Sequence, residues 1–291
     1  MRPSDRVAVN IVRMILAAVS FGFMATFVKL SCRTLPSMEV VFFRSFLGSI
    51  AIGAMILKEK TSWIGLNPKI MILRGITGFA ALSLHFYAIK ELNLGTAVML
   101  NYTAPIFVVI LARLMLGEKT IWIVKASILF SFVGLYLLVA PQFDVKPTPV
   151  LLGICSGIFA AVAYVLIRYN GEKESPYTII FYFTAISTIG SLPFLPGSFH
   201  WPNASESLLL VGVTAGAFFG QVWLTSSIQG SPISAVLPFS YLTPVFAMLV
   251  GTVLLKEYLS FEMILGSLII VGSGVVIYLF RKRTVFIPIE E

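Results

Sequence analysis

Residues 102–107 read YTAPIF and residues 241–246 read YLTPVF. Each stretch runs on through apolar residues to a glutamate, Glu118 in LMLGEK and Glu257 in VLLKEY. A shift of 139 positions lays Tyr102 on Tyr241, Pro105 on Pro244, Phe107 on Phe246, Leu116 on Leu255 and Glu118 on Glu257. At the same shift Lys29 falls on Arg168 and Phe42 on Phe181. Apolar coincidences mean little in such a chain. A basic residue, a proline inside an apolar run and a terminal glutamate recurring in one order mark an internal repeat.

Composition says what is repeated. Of 291 residues 58% are apolar and 12% charged, whereas a soluble domain is about half apolar and a quarter charged. One crossing of the hydrocarbon core takes about 20 apolar residues as helix. Charge, Pro and Gly punctuate ten such runs: 13–32, 39–57, 70–90, 96–116, 121–140, 149–169, 177–196, 207–228, 233–255 and 262–280. In lipid the backbone must satisfy its own hydrogen bonds, and these runs lack the alternation of a membrane barrel. The expected fold is therefore an all-α membrane protein with ten transmembrane helices. Five helices per copy is an odd number, so the second copy enters the membrane from the opposite side. The predicted organisation is two inverted five-helix repeats, residues 10–140 and 149–281, a plan that suits alternating access to a site at the midplane.

Arg2, Arg6 and Arg13 ahead of an apolar run resemble a signal peptide, but the run continues to Lys29 with no A-x-A-like cleavage site. It reads as the first helix. With the amino terminus inside, 15 Lys and Arg residues, Arg74 and Arg168 among them, fall on the cytoplasmic side and 6 on the other. The bias places both termini in the cytoplasm. The net charge of +8 is then an orientation signal and a match to anionic lipid; no basic stripe with interleaved aromatics points to nucleic acid. Cys32 and Cys155 read as small, unpaired apolar residues, although pairing is not decided by sequence.

The prolines nominate the first site residues. Pro105 in the fourth helix removes a backbone donor and frees the carbonyl of Asn101; Pro238 and Pro244 in the ninth do the same for Ser234 and Ser240. Asn101, Tyr102, Ser240 and Tyr241 are thus expected at the substrate, with the tyrosine rings offering a stacking face and a hydroxyl. Packing kinks are the alternative reading. Ionisable groups within spans come next, because lipid penalises them. Lys29, Arg44 and His85 are candidates for substrate contact, as is the amide of Gln221 inside the eighth helix. Against this, Lys29 and Arg44 are near enough to helix ends to snorkel. Glu39 at the mouth of the second helix, and Glu118 and Glu257 at the ends of the fourth and ninth, are assigned gating or structural roles. A carboxylate opposes the dipole at a helix carboxyl end, so Glu118 and Glu257 are each expected to address the start of the next helix.

The two Y-x-x-P-[IV]-F segments with their terminal glutamates resemble the paired repeats of the EamA-type transporters of the drug/metabolite transporter superfamily. SMEVVFFRSFLGSI (37–50), RGITGFAALSLHFYAIKELNLGTA (74–97) and GSLIIVGSGVVIYL (266–279) resemble the same family, over roughly residues 10–281. The resemblance implies ten helices and a small organic solute. Some members import S-adenosylmethionine or riboflavin and others export amino acids. Small multidrug exporters of the superfamily use a carboxylate in the first helix; this chain has none there, nor deep in any span. The expected function is secondary transport of a zwitterionic or anionic metabolite such as an amino acid, a nucleotide-like metabolite or a vitamin. A drug or amino-acid exporter is the runner-up.

Other classes fare worse. The chain has no H-E-x-x-H, Gly-rich phosphate loop, C-x-x-C or G-x-S-x-G, which disfavours an enzyme. A channel calls for one continuous polar pore. The expected partners are the substrate and membrane lipid, with no cofactor and no metal, as a monomer or homodimer in the bacterial cytoplasmic (inner) membrane.

Overall fold

The computed structural model describes residues 3–92, 94–118, 121–139, 147–197, 199, 201–255 and 260–284. Among these residues the fold is entirely helical. The helices are α1 (Pro3–Ser31), α2 (Ser37–Glu59), α3 (Pro68–Glu91), α4 (Leu94–Asn101), α5 (Ala104–Leu116), α6 (Trp122–Val139), α7 (Pro147–Asn170), α8 (Pro176–Ser191), α9 (Ala204–Gln229), α10 (Ile233–Val236), α11 (Leu242–Leu255) and α12 (Phe261–Thr284). Among the described residues eight helical segments are long and apolar enough to cross a membrane, and Ala104–Leu116 and Trp122–Leu137 are shorter apolar helices.

Local chemistry sets the ends. Pro occupies the first turn of α3, α5 and α8, where its missing N–H has no helical partner to lose. Asn203 and Glu206 form a capping box at the start of α9: Asn203 Oδ1 accepts from the Glu206 N–H at 2.9 Å, and Glu206 Oε2 accepts from the Asn203 N–H at 2.9 Å. α5 stops at Gly117, whose φ of 66° is the left-handed value that glycine takes without a steric penalty.

Two spans depart from the sequence expectation. Residues 96–116 and 233–255 were expected as continuous helices, but both are interrupted. α4 ends at Asn101, residues Tyr102 and Thr103 form a turn, and α5 restarts with Pro105 in its first turn. In the second copy a 3-10 segment, Leu237–Tyr241, separates α10 from α11. Prolines 105, 238 and 244 remove donors at these places, so the i→i−4 ladder lapses instead of merely bending. Ser240 is not left with a free carbonyl, since the Leu242 N–H reaches both Phe239 O and Ser240 O.

The principal packing joins the two halves of the chain. The largest helix contacts are α1 with α9, α3 with α7, α6 with α12, α2 with α8, α3 with α8, α1 with α11, and α5 with α7. The shift of 139 exchanges α1 with α7, α3 with α9 and α5 with α11, so it maps α1·α9 onto α3·α7 and α1·α11 onto α5·α7. The α2·α8 and α6·α12 pairs map onto themselves. Close approach depends on small residues, as expected where lipid supplies no hydrophobic drive between helices. On α9, Gly212, Gly216 and Gly220 face α1; a Cβ on Gly216 would sit 2.9 Å from the Ser20 carbonyl, and one on Gly220 would meet the Phe21 ring at 2.6 Å. Gly157 on α7 does the same for the broken span, since its Cβ would lie 3.0 and 3.1 Å from the carbonyls of Leu100 and Asn101. Cys32 and Cys155 are free and half-buried.

Candidate functional site

A cavity of about 90 Å³ lies where α1, α2, α3, α4, α7, α8, α9 and α11 converge. Both halves build it. Arg44, Arg74, His85, Asn101 and Tyr102 line it from the first, and Tyr164, Phe183, Gln221 and Thr243 from the second.

Its chemistry is dominated by two arginines. Arg44 on α2 and Arg74 on α3 are each 2% exposed, and both lie over the ring of Phe183 on α8, with Cζ at 5.0 and 4.5 Å from the centroid. Arg74 Nη2 donates to Gln221 Oε1 at 3.4 Å. The Nε and Nη1 donors of both arginines have no hydrogen-bond partner. Burying a guanidinium costs several kcal/mol, and a desolvated cation–π contact returns about 2 kcal/mol. One aromatic ring therefore leaves much of the cost of two cations uncompensated. Gly78, one turn beyond Arg74, makes the arrangement possible: a Cβ there would collide with Arg74 Nη1 and approach Phe183 Cδ2 to 2.8 Å.

The other expected contacts separate into two groups. Arg44, His85, Asn101, Tyr102 and Gln221 all line the cavity. His85 Nδ1 has no hydrogen-bond partner, and Asn101 Nδ2 donates to Ser156 Oγ at 3.0 Å. Tyr241, Ser240, Pro105 and Pro244 are buried in the interrupted spans and do not line it. The repeat-related rings of Tyr102 and Tyr241 face each other at 6.5 Å between centroids. Lys29 lies elsewhere: its Nζ donates to Ile89 O and Leu92 O at 2.8 Å each, capping the carboxyl end of α3. Such carbonyls are natural partners for a cation. Glu39 is buried near the start of α2 and is not part of the cavity wall.

Glu118 addresses not the next helix, as expected from the sequence, but the start of one in the opposite half. Its Oε2 accepts from the Ile233 N–H at 3.1 Å at the start of α10, and its Oε1 accepts from Arg168 Nε at 3.0 Å. Arg168 Nη1 also donates to Gln229 O at 2.6 Å, at the end of α9. Lys29 and Arg168, equivalent in the repeat, thus cap equivalent helices. Glu257 lies outside the described residues.

Sequence reasoning missed Arg74, which it counted with the cytoplasmic charges. The available signal was its place inside the apolar run with Gly78 one turn on. Tyr164, Phe183 and Thr243 are ordinary membrane residues that no local pattern distinguishes. Among the described residues no Asp or Glu lines the cavity and no cluster of His, Cys, Asp and Glu is suited to a metal.

This is a multi-pass helical membrane protein with a largely apolar chamber, carrying two buried arginines, shared by its two halves. The chain belongs to the EamA-like transporter family, whose description matches residues 9–140 and again 147–279; it is a transporter, not an enzyme. It is 28% identical over 280 residues to the pseudopaline exporter CntI of Pseudomonas aeruginosa, covering 96% of this chain and 99% of that one. It is 24% identical over 251 residues to the S-adenosylmethionine uptake transporter of Rickettsia prowazekii, covering 86% and 85%. A solved crystal structure shares the fold with a TM-score of 0.80 at 18% identity, over 93% of this chain and 96% of that one.

Proposed function

We propose that this protein is a secondary, ATP-independent transporter that moves a small anionic or zwitterionic metabolite across the bacterial inner membrane by alternating access. The observation that carries the reading is the cavity, lined by both halves and holding buried cationic donors that find no acceptor among the described residues. Ten membrane helices in two inverted five-helix repeats, residues 10–140 and 149–281, with both termini cytoplasmic, suit this mechanism. The twofold pattern of helix contacts and the matched interruptions at Tyr102 and Tyr241 support that arrangement. Substrate is held by Arg44, His85, Asn101, Tyr102 and Gln221, with Ser240, Tyr241 and the prolines shaping the chamber. Lys29 and Glu39 stabilise helix ends, and Glu118 with Arg168 closes one end of the path.

The named relatives work in opposite directions, one as an exporter and one in uptake. Export of a drug or amino acid is the second reading, favoured by the fuller coverage of the exporter. Counterflow in proteoliposomes tests the shared mechanism. Vesicles preloaded with a transported metabolite should take up labelled metabolite against its gradient, with saturation. Flux that neither saturates nor exchanges contradicts alternating access.

A further inference from the structure

We propose that Arg44 and Arg74 form one two-point site for a small, doubly charged anion, either a short dicarboxylate or a phosphomonoester. The inference rests on the transport reading and narrows its substrate class. Both guanidinium carbons lie within 5.0 Å of a single ring centroid, so they are no further apart than twice that distance. Each side chain is 2% exposed, and each keeps Nε and Nη1 without an acceptor.

Like charges buried together repel, and among the described residues no carboxylate lines the chamber to neutralise them. The Gln221 oxygen, at 3.4 Å from Arg74 alone, is a weak and neutral acceptor. A monoanion neutralises half of the charge and leaves one fork of donors empty. An anion of charge −2 neutralises both cations: a dicarboxylate offers one two-oxygen carboxylate to each guanidinium, and a phosphomonoester shares its three terminal oxygens between them. The other polar side chains of the wall, Tyr102, Tyr164, Asn101, Gln221, Thr243 and His85, carry no negative charge and offer nothing to attract a cation more strongly than the arginines repel it. The narrow chamber favours a short molecule.

The test is binding to purified full-length protein, followed by thermal unfolding during titration with succinate, glycerol 3-phosphate, propionate and S-adenosylmethionine. Ligands that bind the native state raise the midpoint in a saturable way. Succinate, glycerol 3-phosphate or both should do so, and the two separate carboxylate from phosphate recognition. Propionate should bind more weakly. Arg44→Gln and Arg74→Gln should each weaken dianion binding by about 30-fold or more, the scale for truncating one side of a buried charge pair. Arg44→Lys and Arg74→Lys, which retain charge and bulk, serve if the glutamine variants fail to fold, and should bind with intermediate affinity. No shift with either dianion, equal binding of propionate, preferential binding of S-adenosylmethionine, or undiminished binding in the variants overturns the proposal. Dianion binding without counterflow leaves this site standing and removes alternating access.

Discussion

Glu118 and Arg168, one from each half of the chain, form an ion pair at 3.0 Å that also fastens the start of α10 and the end of α9. The two side chains are 13% and 27% exposed, so solvent screens the pair only in part. A surface pair of this length is worth little. This one is strengthened by the Ile233 N–H and the Gln229 carbonyl, each of which has lost access to water.

Glu118→Gln removes the charge and leaves the shape. The expected loss of stability is about 1.5–3 kcal/mol, the usual range for hydrogen bonds to a charged group. The change should also favour opening at that end. A cysteine placed at Ser231, which is 3% exposed, should react faster with a membrane-impermeant maleimide when Glu118 is Gln. Equal labelling in the two backgrounds leaves the pair with a structural role only.

Gly78→Ala should displace Arg74 from the Phe183 ring, because the new methyl occupies the space of Nη1 and presses on the ring. Overpacking of this kind costs about 1–3 kcal/mol. Thermal unfolding should show the loss of stability, and anion titration should show weaker binding. A variant with wild-type affinity would remove Gly78 from the support of the site.

Tyr102→Ala and Tyr241→Ala should each lower transport while membrane insertion stays intact. The rings lie 6.5 Å apart at the two interruptions, so either truncation opens a void between the halves. Tyr241 is fully buried, and its loss should also cost about 3–5 kcal/mol, as for other large aromatics. Uptake assays with matched membrane abundance provide the check, and normal uptake by both variants excludes the pair from the path.

Gly216→Val should be severely destabilising, since its Cβ would lie within 3.0 Å of both the Ser20 carbonyl and Met24 Cβ. The backbone atom cannot move as a flexible side chain does, so α1 and α9 must separate. A large fall in the unfolding midpoint is expected. An unchanged midpoint would mean that this contact contributes nothing to holding the halves together.

The repeat, the helical class and much of the chamber were legible before any coordinates. Tyr102 and Tyr241 were paired by spacing alone, and the proline rule located both interruptions, although it suggested kinks where the helices break. The equivalence of Lys29 and Arg168 was also legible, but not its purpose. Each finds carbonyls at the end of a helix some sixty residues away, and no local rule encodes such a partner. Arg74 was misplaced because charge counting treats a residue near a helix start as belonging to the aqueous side. Its neighbours, Phe183 and Gln221, come from the other half of the chain. Glu174 shows the same limit: its carboxylate caps the backbone at Leu66 and Asn67 from across the fold, while its surroundings in sequence read as an ordinary loop.

The packing of each half against the other has a consequence for biosynthesis. A ribosome delivers Arg44 and Arg74 to the membrane before Phe183 and Gln221 have been made. Likewise, α1 and α3 are inserted before α9 and α7, their main partners, exist. The nascent first half must therefore hold two guanidinium groups and its helix-packing faces against lipid, water or the insertion machinery until the second half arrives. Truncation after the first repeat should yield a chain that inserts but is promptly degraded, and co-expression of the second repeat as a separate polypeptide should rescue it.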